Sequence, residues 1–167
     1  MAFLAEDGTG LEGANSSVDL AFADAYFSER NKVEWTNATP AAKQSSLIAA
    51  SDYATLRWGN KLSGQKLTKE QGQVFPRLYC YDRDGFLAEG VPDVWKKAIC
   101  EYAFQHLNDA LYPTVSANDT REITQESVTI GPIKTSTTYT EKAPPRFPKA
   151  DSYARHFVIR RGGVIRN

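Results

Sequence analysis

Few residues in this chain have the types and spacing that chemistry requires. The chain has two histidines, His106 and His156, and two cysteines, Cys80 and Cys100. His106 falls among the apolar positions of a helical pattern, where a hydrogen-bonded core histidine is a better reading than a general base. His156 stands between Arg155 and Phe157 and reads as a half-exposed helix residue. Neither cysteine has a Cys or His partner at metal-ligand spacing, so both read as small buried hydrophobes that fit a reducing cytosol. Tyr81-Asp82-Arg83-Asp84-Gly85 has two acids and the glycine of a calcium loop. Leu87, Glu89 and Val91 do not continue the ligand spacing, which leaves a tight Asp/Gly turn. Arg57-Trp58 and Trp95-Lys96-Lys97 combine aromatic and basic side chains, the pairing that stacks on single-stranded bases. Each lies on a helix whose apolar face claims the ring. No Gly-rich phosphate loop follows a strand, and there is no nucleophile elbow or His-x-x-x-His pair. The sequence therefore predicts no enzyme, no cofactor and no metal site.

Whatever the chain does must be carried by its elements. The 167 residues are 41% hydrophobic and 24% charged, which suits one folded domain, with or without arms. Folding at this size buries about 70% of the surface of the unfolded chain, enough for a core without metal or disulfide staples. Twenty basic residues cancel twenty acidic ones, which argues against a surface built entirely for nucleic acid. Apolar runs are only a few residues long, so no membrane helix is expected, and the opening Met1–Asp7 has no basic leader that would start a secretory signal.

The pattern predicts a mainly α fold: a small bundle of about four helices, a β-hairpin, and extended N- and C-terminal arms. Residues 1–17 read as the N-terminal arm, loosened by Gly8, Gly10 and Gly13. A helical core spans 18–113. In it Asp19 caps a first helix ending near Arg30, and Thr39-Pro40 opens a second that runs to Gly59. Residues 60–90 read as mostly loop, with one helical turn near Thr68–Gln73. Pro92 and Asp93 open a third helix whose broad apolar face holds Trp95, Ala98, Ile99, Tyr102, Ala103, His106 and Leu107. Residues 121–141 read as a hairpin reversing at Gly131-Pro132, with Ile123, Val128, Ile130, Ile133 and Tyr139 spread among Thr and Ser. A short helix over 146–157 leads into a C-terminal arm, 158–167, that carries Val158, Ile159, Arg160, Arg161, Val164, Ile165 and Arg166.

Charge is unevenly distributed. In residues 1–30 six acids face Arg30 alone, whereas in 142–167 seven basic residues face Asp151 alone. Such ends suit head-to-tail contact between copies, a tail lying on something negative, or two simply solvated termini. A two-stranded ribbon is marginal by itself, so the hairpin needs the core or another chain to lean on.

The order of several short motifs resembles a known family. Glu6-Asp7-Gly8-Thr9-Gly10-Leu11 with Ala14-Asn15-Ser16, then Ala23-Asp24-Ala25-Tyr26-Phe27, is similar to the opening of small head–tail connector (adaptor) proteins of tailed bacteriophages, a group often labelled DnaT-like single-stranded-DNA-binding. Ala49-Ala50-Ser51-Asp52-Tyr53, Phe75-Pro76-Arg77, Asp82-Arg83-Asp84-Gly85, Val91-Pro92 and the Gly131-Pro132 turn extend the resemblance over most of the chain, while Gln65–Gln73 departs from it. The resemblance implies a virion protein made in the host cytoplasm. It would form a ring, usually of twelve copies, between the portal and a downstream tail or neck protein, with genomic DNA passing through and no membrane contact. On that expectation Ile123, Val128, Ile130, Ile133 and Tyr139 form an inter-subunit hairpin. Val158, Ile159, Arg160, Arg161, Val164, Ile165 and Arg166 dock on the portal. The alternative is a DnaT-like replication module that binds single-stranded DNA, for which steep salt dependence is the signature.

Overall fold

The computed structural model describes residues 2–109, 111, 121–129, 134–141 and 147–158, with the hairpin strands described by their backbone. The chain divides into two compact units, one of residues 1–111 with 147–167 and one of 112–146. As predicted, the fold is mainly α.

The first unit is built on five helices. Helix α1 (Leu20–Ser28) starts where the Asp19 carboxylate accepts the Phe22 N–H at 2.8 Å. Helix α2 (Val33–Asn37) is a five-residue turn that the sequence pattern does not announce. Helix α3 (Pro40–Trp58) has Pro40 in its first turn, where a missing N–H costs nothing, and the Thr39 hydroxyl caps Ala42. Helix α4 (Asp93–Asn108) and helix α5 (Pro148–Ala154) follow, and α5 runs into a 3-10 turn, Arg155–Phe157.

Helices α3 and α4 pack together and form the centre of the core. Leu47, Ala50, Tyr53, Ala54 and Trp58 recur at helical spacing on α3 and meet Trp95, Ala98, Ile99, Tyr102 and Ala103 on α4, all buried. Tyr53 and Tyr102 meet with ring centroids 4.9 Å apart. Helix α5 lays Ala150 and Ala154 on the same core. Cys80 and Cys100 are both fully buried and unpaired, as small hydrophobes.

Two loop regions and one helical residue depart from expectation. Residues 5–17 are not a loose arm. Ala5 bridges to Ser16, and the backbone N–H groups of Gly8, Gly10 and Leu11 all donate to the buried Glu6 carboxylate at 2.8–3.0 Å. Left-handed Gly8 and Gly10 (φ 101° and 83°) let those N–H groups converge on one carboxylate, a geometry that a Cβ would strain. Residues 68–73 form no helical turn. The buried Gln71 and Gln73 amides instead take over backbone partners: Gln71 Nε2 donates to the Gln73 and Pro76 carbonyls, and Gln73 Nε2 to the Ala14 carbonyl. His106 is half-buried, and its Nδ1 has no hydrogen-bond partner among the described residues, so the expected core hydrogen bond is not found there.

Short strands β1 (Gln65–Lys66) and β2 (Arg77–Leu78) pair antiparallel and bring the 63–66 and 77–81 segments together. The second unit contains strands β3 (Arg121–Thr129) and β4 (Lys134–Glu141), paired antiparallel. Ile123 lies opposite Tyr139 and Val128 opposite Thr135, with an irregularity between Ile123 and Gln125. Ile130 and Ile133 lie outside the described residues. No helix among the described residues is long and apolar enough to cross a membrane.

Candidate nucleic-acid interface

A concave surface of the first unit lies where α3 ends. A cleft of about 770 Å³ is lined by three segments: Trp58 and Ser63, then Tyr81 to Arg83, then the α5 end from Ser152 to Val158. Each wall is held by identifiable contacts.

The floor is Trp58, whose indole Nε1 donates to the Tyr102 hydroxyl at 2.9 Å. Tyr102 donates in turn to Asp151 Oδ1 at 2.6 Å, and Asp151 Oδ2 accepts from Arg57 at 2.8 Å. Burial, and then the hydrogen bond to Asp151, push the Tyr102 hydroxyl far above its ordinary pKa. Burial opposes the charge on Arg57, but Asp151 and the neighbouring tyrosines outweigh it and raise its pKa. Arg57 is thereby neutralised within the floor.

The second wall is pinned by Arg77. Its guanidinium donates to the carbonyls of Ser63 and Gly64, each at 2.7 Å. Gly64 is left-handed (φ 68°), and a Cβ there would collide with the Leu78 carbonyl, so only glycine lets the two segments approach so closely. Ser63 also donates to the Tyr81 carbonyl at 3.2 Å. Asp82 Oδ1 accepts the N–H groups of Asp84 and Phe86, each at 2.9 Å, with Gly85 left-handed between them. This is the tight Asp/Gly turn that the sequence predicts, and no cluster of metal-ligating side chains exists among the described residues.

The turn presents aromatic rings to solvent. Tyr81 is 50% exposed at the cleft, and Tyr79 and Phe86 beside it are 69% and 72% exposed. Three large aromatic side chains exposed within eight residues make this loop a candidate interaction surface. Tyr79 is in addition left-handed (φ 55°), an unfavourable state for a bulky side chain.

Cations complete the site. Lys61 Nζ lies 5.2 Å and Arg155 6.0 Å from the Trp58 ring, and neither pairs with a carboxylate among the described residues. Arg83 is exposed, and its only ion pair among the described residues is a long contact of 3.8 Å with exposed Asp84, too weak to bind it. His156 lines the same wall, half-buried as its position in the sequence suggests.

The residues singled out from sequence are only partly gathered here. Trp58 contributes the floor, buried as expected, while Trp95 is fully inside the core. Val158 lines the cleft and bridges to Leu62, packed against its own subunit's core. Ile159, Arg160, Arg161, Val164, Ile165 and Arg166 lie outside the described residues. Ile123, Val128 and Tyr139 belong to the separate hairpin unit. Sequence reasoning did not gather Tyr79, Tyr81, Phe86, Lys61, Arg83 and Arg155 as one site. The signal available for them was two tyrosines, a phenylalanine and an arginine in a glycine-bounded loop.

No curated protein and no solved structure matches the chain. The expected head–tail connector, a structural virion protein ringed beneath a portal, is overturned by the match that does exist. A family model described as "Putative DnaT-like ssDNA binding protein" covers residues 1–166, which favours the single-stranded-DNA alternative and gives no support to portal, ring or tail partners. With nearly its whole length matched, the chain belongs to the DnaT-like ssDNA binding protein family.

Proposed function

We propose that this protein binds single-stranded DNA, without catalysis, on the surface formed by Tyr79, Tyr81, Phe86, Lys61, Arg83 and Arg155. The observation that carries this reading is the exposed Tyr81 ring sharing one cleft with Arg155, with Lys61 beside the Trp58 ring of its floor, cations left without carboxylate partners among the described residues. Exposed rings offer π-faces to successive bases, and every base has such a face, so the contact tolerates any sequence. Unpaired cations meet the backbone phosphates and supply a salt-dependent term. Zero net charge does not oppose this, because Lys61, Arg83 and Arg155 gather at this surface while acids such as Glu6 and Asp151 are buried and internally satisfied.

Duplex DNA hides its bases in the stack and cannot use the rings. Fluorescence anisotropy with a labelled thymidine 15-mer and the matching duplex tests the proposal. The single strand should bind at least tenfold tighter than the duplex at moderate salt. Equal affinity for both, or binding to neither, would count against it.

A further inference from the structure

We infer that the cleft itself accepts one unstacked base of the strand, with its phosphate seated between Arg155 and Lys61, while Tyr79 and Phe86 act outside it. This rests on the single-stranded-DNA reading and specifies how the strand is held.

The cleft differs from the exposed rings around it. Its volume of about 770 Å³ falls within the range of small-molecule sites and is large enough for a nucleotide. Tyr81 and Tyr153 contribute rings from opposite segments. Ser63, Ser152 and His156 contribute the few polar groups that can meet a base edge. The floor does not need to reorganise: Trp58, Tyr102, Asp151 and Arg57 are already tied to one another. A pre-formed pocket avoids ordering costs on binding and so holds a small ligand more tightly than a mobile surface of the same composition.

Charge selects the anion. Arg57 is cancelled by Asp151, but Arg155 and Lys61 lie over the same indole with no carboxylate among the described residues to offset them. Asp82, the acid in the cleft lining, spends Oδ1 on two backbone N–H groups of its own turn. Arg83 and Arg155 in the lining, with Lys61 at the Trp58 ring, outnumber Asp82, the one acid there, and match a base joined to a phosphodiester. Phe86, by contrast, is not among the cleft-lining residues and presents only an outer face.

The test uses three labelled 15-mers in anisotropy titrations at one salt concentration: fully abasic, abasic with one central thymine, and all thymine. The single thymine should raise affinity over the abasic strand by about fivefold to a hundredfold, the size of one base–aromatic stack. Tyr81→Ala should abolish that gain, whereas Phe86→Ala should leave it intact and weaken only the all-thymine strand. If affinity rises evenly with each added base, or if Phe86→Ala and Tyr81→Ala act alike, the one-base pocket is wrong although single-strand binding stands. If none of the three strands binds, both the pocket and the proposed function fail.

Discussion

Arg57 Nη2 lies 2.8 Å from Asp151 Oδ2, joining α3 to α5 across 94 residues of sequence. Asp151 is 2% exposed, and its other oxygen accepts the Tyr102 hydroxyl, so one carboxylate satisfies partners from two helices and supports the floor of the cleft. Ion pairs of this kind contribute little when whole and cost much when broken, because the surviving, partly buried charge loses its partner.

Asp151→Ala therefore removes the carboxylate that Arg57 and Tyr102 share and should destabilise the protein by about 3–5 kcal/mol. Asp151→Asn keeps an acceptor and the shape but loses the charge, so its loss should be smaller. Urea denaturation followed by Trp fluorescence measures both, and a loss under 1 kcal/mol for the alanine variant would show that the network is not structural.

Glu6 makes a comparable prediction at the N-terminal loop. Its carboxylate is the shared acceptor for three backbone N–H groups, and hydrogen bonds to a charged group contribute about 1.5–3 kcal/mol each before compensation by water. Glu6→Ala should destabilise by about 2–3 kcal/mol, and hydrogen exchange at Gly8, Gly10 and Leu11 should accelerate well beyond the change elsewhere. Unaltered exchange at those three amides would mean that the loop is held by other contacts.

High pH probes the buried hydroxyls. Burial, followed by the hydrogen bond to Glu101, raises Tyr26, and burial with the Asp151 hydrogen bond raises Tyr102. A folded-state pKa above the unfolded value of about 10 means that this contribution to stability is whole below pH 10. Above it the unfolded chain releases protons that the native state retains, so stability falls by about 1.4 kcal/mol per pH unit for each tyrosine. Tyr26→Phe should remove nearly one proton from that slope above about pH 11 in denaturation experiments. An unchanged slope would contradict the assignment.

Thiol reactivity reports on the core. Burial raises the pKa of both Cys80 and Cys100, so little of the nucleophilic thiolate forms near neutral pH. A disulfide-exchange reagent at pH 8 should titrate no thiol in the native protein and two after denaturation. Rapid reaction of one native thiol would show that its side of the core opens readily.

Much of the first unit was legible because its signals are local. Asp19, Thr39-Pro40 and Pro92-Asp93 announce helix starts, and the apolar spacing of α3 and α4 matches the faces they bury. What escaped depends on distant partners. Helix α2 has only five residues and is held by Trp35, whose ring packs 4.5 Å from Phe27 and whose Nε1 donates to Asp24. The glycines at 8 and 10 looked like slack, but their left-handed backbones wrap a carboxylate. Gln71 and Gln73 resembled helix formers because nothing nearby shows that their amides serve a loop. The candidate site was hidden for the same reason: the Arg77 clamp and the Gly64 contact fix the backbone around Tyr79, and Arg155 arrives from about seventy residues away.

Salt dependence of strand binding tests the central claim most directly. If Lys61, Arg83 and Arg155 each neutralise one phosphate, the logarithm of the binding constant for a thymidine 15-mer should fall with log salt at a slope of about −2, from about 0.7 per single-strand contact. The Lys61→Gln/Arg155→Gln double variant should fold normally and reduce the magnitude of that slope by about 1.4. Wild-type and double-variant slopes that coincide, or a wild-type protein that does not bind the strand at low salt, would contradict the account.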